Sequence, residues 1–101
     1  MDLMIKNPAQ IFRACRNAMS TNPCEAILSW RLVLVYEGID NQMHYINCKD
    51  WQKLRKVYGR YSSKKYPIVK ISLIITSNIT SNGYDRLVYN FDITNMVLDY
   101  K

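Results

Sequence analysis

The chain has 101 residues, room for one domain, and 49% of them are hydrophobic, which excludes wholesale disorder. The net charge is +6 and is unevenly placed: residues 49–70 carry eight Lys and Arg against a single carboxylate, Asp50, while the remainder is close to neutral. Three isolated glycines exclude a phosphate-cradling glycine loop, and three cysteines without paired spacing do not form a disulfide framework.

Residues 8–19 read as a helix. Asn7 can cap it, Pro8 suits the first helical position and Gln10 completes a capping box. Ile11, Phe12, Cys15, Ala18 and Met19 recur at helical spacing, and Arg13 and Arg16 lie off that stripe. Residues 20–23 break the chain. Residues 27–36 read as a long strand with Leu28, Trp30, Leu32, Leu34 and Tyr36 on its core face. Residues 37–41 supply a turn, and 43–48 a hairpin partner.

Residues 50–58 suit a second helix, with Asp50 at its positive end. Trp51, Leu54 and Tyr58 face the core, Gly59 is placed to end the helix, and 61–65 form an exposed polar loop. Residues 66–77 are the next strand, with Val69, Ile71, Leu73 and Ile75 opposite Lys70, Ser72 and Thr76. A turn-rich loop covers 78–83. Residues 84–93 alternate again, with Leu87, Tyr89, Phe91 and Ile93 on one face. Residues 96–100 fit either a last strand or a helical turn. The order predicts a single α+β domain over residues 1–101, with an antiparallel sheet of four to five strands and two helices packed on one side.

Catalytic patterns are lacking. His44 is the lone histidine and falls in a strand, where packing or surface roles predominate. There is no Cys-x-x-Cys pair and no pair of His at metal-ligand spacing. Asp85 and Asp92, seven apart in a strand, point to opposite faces. The expectation is a non-enzymatic protein without cofactor or metal. The first residues carry no apolar run of signal-peptide length, and apolar-rich stretches of about ten residues are too short to span a bilayer. A reducing compartment with free thiols follows, and the sequon at Asn78 is then coincidental.

The basic segment carries the binding chemistry. Lys49, Lys53, Arg55, Lys56, Arg60, Lys64, Lys65 and Lys70 are the candidate phosphate or lipid-headgroup contacts. Tyr58, Tyr61 and Tyr66 are interleaved with them. Tyr61 and Tyr66 are candidates to stack on unpaired bases or to sit at a lipid interface. A solvated face without a partner is the plainer alternative, with Tyr58 in the core and the other two covering the sheet.

The middle of the chain has a further pattern. A long strand and hairpin lead to a helix with Trp51 and Tyr58-Gly59. A short basic loop then leads to Lys65-Tyr66-Pro67-Ile68-Val69-Lys70-Ile71. Over about residues 27–73 this resembles the core of the rhabdovirus matrix proteins, whose vesiculovirus members carry a Trp- and Tyr-containing helix, a Gly and a Lys-x-Pro-aromatic-x-Lys-Ile stretch. The resemblance implies a viral structural protein of the virion that bridges nucleocapsid or RNA and an anionic membrane surface and self-associates. It would act in the host cytoplasm, with the nucleus as a second compartment. The chain departs from that family in being shorter and in lacking a lysine-rich N-terminus and a Pro-Pro-x-Tyr budding motif. Its prolines, Pro8, Pro23 and Pro67, are isolated. Two other readings fit the same residues: a small viral nucleic-acid-binding accessory protein such as an RNA-silencing suppressor, and an adaptor whose basic patch meets an acidic host protein.

Overall fold

The structure is a computed structural model that describes residues 8–19, 25–79 and 86–97. Four strands form one antiparallel sheet: β1 (Glu25–Glu37), β2 (Met43–Cys48), β3 (Ile68–Ile79) and β4 (Arg86–Asp92), in the order β2-β1-β3-β4. The centre belongs to β1 and β3, the strands with the longest runs of Val, Ile and Leu. Such residues pack well on a pleated surface and hold their backbones apart from water. The turn from β1 to β2 closes through Gly38 N–H to the Gln42 carbonyl at 2.9 Å, with Asn41 in the left-handed region at φ 61°. A Cβ at 38 would come within 2.7 Å of the Asp40 carboxylate and the His44 ring, and those exposed side chains would have to move aside.

One face of the sheet is the core. Leu32 and Leu34 of β1, Ile71, Leu73 and Ile75 of β3, and Cys48 of β2 are sealed from solvent there. Two bulges adjust the alternation. The β1–β3 register shifts between Ile27 and Ser29, and again between Val35 and Tyr36. The extra residues are Leu28 and Val69, and both are exposed, at 49% and 45%. These two were expected on core faces. A bulged residue is left out of the pairing and resets the face of its neighbours. Ile27 and Ile68 therefore pack against the core in their place.

Helices cover that face. The amphipathic helix α1 (Pro8–Asn17) contributes Ile11 and Cys15, with Met19 just beyond it, and sets Phe12 edge-on to Trp30 at 5.7 Å. Helix α2 (Trp51–Ser63) buries Leu54 and Val57 over β1 and β2, and Trp51 lies 6.3 Å from Trp30. A single turn, α3 (Thr94–Val97), tucks Val97 beneath β3. Of the tail that fitted either a strand or a helical turn, residues 96 and 97 belong to this turn, and 98–100 lie outside the described residues.

Thr94 joins the two ends. Its hydroxyl accepts from Ile71 N–H at 2.9 Å and donates to the Asp92 carboxylate, and Ile93 N–H reaches the Ile71 carbonyl at 2.9 Å. The β3–β4 ladder thus continues past the last residue of β4. The architecture is the expected α+β domain, with helices on one side of a four-stranded sheet. Most element ends differ by one or two residues from those expected, and the end of α2 by more. Helix α2 runs through Gly59 to Ser63, because Tyr61 continues the core stripe and packs against the buried cluster. Strand β3 reaches Ile79, beyond the expected loop start at Asn78. The proposed cap at Asn7, the break at 20–23, Cys24, the loop from 80 to 85 and the last four residues fall outside the described residues.

Thr94→Val removes the acceptor for Ile71 N–H while preserving shape. It should cost about 1–3 kcal/mol in urea denaturation, and Thr94→Ser should retain most of that stability. Cys15 and Cys48 are buried, and burial raises both thiols above their usual range. Alkylation mapping should find both unmodified in the folded protein and modified in urea.

Candidate phosphate-binding surface

The geometry of the basic segment follows from how α2 is capped and turned. The Asp50 carboxylate accepts Lys53 N–H at 2.8 Å, closing the first turn. Burial of Leu54 and Val57 then fixes the helix about its own axis. At about 100° per residue, Lys53, Lys56 and Arg60 leave within an arc of roughly 60° on one flank. Lys49 precedes the helix. Lys49, Lys53 and Lys56 line a groove with Asn47 and Gln52 between the end of β2 and the start of α2, and Asp50 forms part of the same wall. No carboxylate among the described residues lies within ion-pair distance of Lys49, Lys53, Lys56 or Arg60. The flank is therefore a run of cations that form no ion pair among the described residues. The one nearby acid is engaged at the helix end.

The remaining sequence-predicted cations divide. Lys64 caps the C-terminus of α2 and lies 5.9 Å over the Tyr61 ring, extending the same flank. Lys65 is exposed in the left-handed region at φ 63°, in the turn that leaves the helix. Arg55 leaves α2 from the opposite flank, by the same helical geometry. Lys70 stands beside Val35 on the other face of the sheet, away from the helices. The expected single patch of eight thus reduces to Lys49, Lys53, Lys56, Arg60 and Lys64. Arg55 and Lys70 do not belong to it, and Lys65 lies beyond it in the turn after the helix. Charge counting along the chain could not separate them, because it ignores which way each element faces.

The two candidate stacking tyrosines are turned inward. Tyr61 stacks on Tyr36 at 4.3 Å and Tyr66 lies 5.4 Å from the same ring, while His44 stacks on Tyr36 at 5.2 Å. Tyr61 and Tyr66 also pack on each other at 5.8 Å. Partial burial and the adjoining Tyr61 hydroxyl push the Tyr36 phenol above its usual range. These half-buried rings pack on one another beside β1 and α2, so their faces are largely taken up within the protein. The exposed aromatic that sequence reading missed is Tyr45, at 69%. Its place opposite the core-facing His44 and Ile46 in the β2 alternation is the signal that could have found it.

His44 is tied to the turn through Asp40, with its Nε2 3.1 Å from both carboxylate oxygens. That contact and the Gln42 N–H hold the Asp40 carboxyl below its usual range. The Thr94 hydroxyl and N–H do the same for Asp92. Among the described residues no three His, Cys, Asp or Glu gather as a metal site, and no helix is long and apolar enough to cross a membrane. Comparison with known protein families, with curated proteins and with solved structures finds no match.

A carboxyl depressed in the folded state stabilises the fold fully above its unfolded value, about 3.9. That stabilisation is lost as pH falls through the folded value. Carbon-detected titration should therefore place Asp40 and Asp92 below about 3.9. Asp92→Asn should flatten the fall in stability measured on acidification below that pH.

Proposed function

We propose that this chain is a non-enzymatic binding protein whose working surface is the cationic flank of α2. We further propose that it serves as a small matrix-like structural protein of a virus, bridging ribonucleoprotein and an anionic membrane surface and associating with copies of itself. The observation that carries the reading is the run of Lys53, Lys56 and Arg60 on one side of a helix, with Lys49 just before it and no carboxylate among the described residues paired to them. The resemblance over residues 27–73 supplies the viral setting.

The physical mechanism is neutralisation of phosphate with release of counterions. Each Lys or Arg near an anionic leaflet contributes about 1 kcal/mol, so four acting together give reversible attachment without a lipid anchor. Nucleic-acid phosphate meets the same side chains. One flank holds one polyanion at a time, so bridging falls to different copies within an assembly.

Lys53→Glu/Lys56→Glu should weaken RNA binding by more than about thirty-fold, taking roughly 1 kcal/mol for each lysine lost and adding repulsion. The slope of log affinity against log salt should fall by about 1.4 for single-stranded RNA. The same variant should stop floating with phosphatidylserine vesicles. Unchanged affinity and slope would sink the flank as the phosphate site. Asn caps a helix as well as Asp does. Asp50→Asn should therefore keep stability within about 0.5 kcal/mol while tightening RNA binding, since it removes the one carboxylate lining the groove.

A further inference from the structure

Among the described residues no helix lies on the second face of the sheet, yet β1 and β3 are apolar on that side too. Val33, Val35 and Ile74 form their own buried cluster there. Central strands apolar on both faces are characteristic of sheets covered on both sides. The strand registers set out the rest of this face in rows. One row runs Tyr45, Val35, Lys70 from β2 to β3. The next runs Asn47, Val33, Ser72, Asp92 across all four strands, and the next Arg31, Ile74, Asn90. All of these side chains except Asp92 line a hollow, together with Met43 and Val69. Asn47 lines both this hollow and the groove beside Lys49, Lys53 and Lys56. The cationic flank and the uncovered face are therefore continuous around the β2 edge.

We infer that single-stranded nucleic acid follows this path, from the flank of α2 over β2 and onto the uncovered face. The inference rests on the phosphate reading of the flank and adds the class of ligand. Unpaired bases need flat apolar or aromatic surfaces, and Tyr45, with the exposed Met43 and Val69 beside it, supplies them. At about 4.8 Å per strand, Tyr45 and Lys70 stand roughly 10 Å apart, with Val35 between them. Arg31 and Lys70 meet phosphate, and the amides of Asn47 and Asn90 can donate to and accept from base edges. This face also carries acids: Glu37 at the end of β1, opposite Met43, and Asp92 on the outer strand, where its carboxylate takes the Thr94 N–H and hydroxyl. The path therefore runs over β2, β1 and β3. A duplex hides its base faces and gains nothing from Tyr45. A second copy stacked here would have to bury Arg31 and Lys70, which is costly unless each is matched, whereas a polyanion neutralises them.

The test is fluorescence anisotropy of the full chain with a ten-nucleotide oligouridylate and with an RNA duplex. Tyr45 is exposed on an edge strand, and threonine keeps strand preference without the ring. Tyr45→Thr should weaken single-strand binding roughly ten-fold, the loss of one stacked base, and leave duplex binding unchanged. Tyr45→Phe should bind as the unaltered chain does. A 4-thiouridine oligonucleotide should crosslink to the peptide containing Tyr45. If Tyr45→Thr binds the single strand normally while Lys53→Glu/Lys56→Glu abolishes binding, the flank stands and this inference is overturned. If Tyr45→Thr alters sedimentation rather than affinity, the face is a contact between copies and the inference is again overturned. If the unaltered chain retains neither nucleic acid, the inference falls and so does nucleic acid as a ligand of the flank. Flotation on anionic vesicles in that case would leave the flank a lipid surface.

Discussion

The packing of Leu54 and Val57 onto the sheet sets the disposition of most of the charge. Both side chains are sealed against the face made by Leu32, Leu34 and Cys48. A helix that buries one stripe has no freedom left about its axis, so everything off that stripe is placed by the same contact. Lys53, Lys56 and Arg60 are thrown to the β2 side and Arg55 to the other. The Asp50 cap settles where the helix starts, and so which residue meets which part of the sheet. Charge and core are set by one arrangement, and a change to the apolar stripe would redirect the cations without altering any of them.

The elements were legible because their periods are clear. The hairpin partner 43–48 and the core faces of residues 30–36 and 71–75 follow from simple alternation. Alternation fails at a bulge, which is why Leu28 and Val69 were misassigned: an inserted residue reverses every face beyond it, and no residue type marks the place. Gly59 misled for a related reason. Glycine often ends helices, but here the apolar stripe continues at Tyr61, and tertiary packing outweighs a local preference of about 1 kcal/mol.

The site was legible as a charge excess and illegible as a shape. Residues 49–70 cross from a helix to a strand, and the strand turns Lys70 to the far side of the sheet. Tyr61 and Tyr66 have the composition of a ligand platform but lie opposite Tyr36, and ring-to-ring packing within the protein claims them. Conversely Tyr45 drew no notice, because it sits outside the basic segment in sequence and adjoins it only through the β2 edge. The second apolar cluster, Val33, Val35 and Ile74, shows why the long apolar runs of β1 and β3 exceed what one covered face requires.

Gly59 has open space around the position its missing Cβ would take. Nothing in the packing demands a glycine there, and the residue loosens the middle of α2. The outer half of the helix is then held chiefly by the Tyr36–Tyr61–Tyr66 rings and by the Ser62 and Ser63 hydroxyls, which bond back to the carbonyls of residues 59 and 60. Those rings act as a tether for the far end of the cationic row. Lys53 and Lys56 are placed by the Leu54–Val57 stripe, whereas Arg60 and Lys64 depend on the ring contacts, so the two halves of the cationic row are held to the sheet by different interactions.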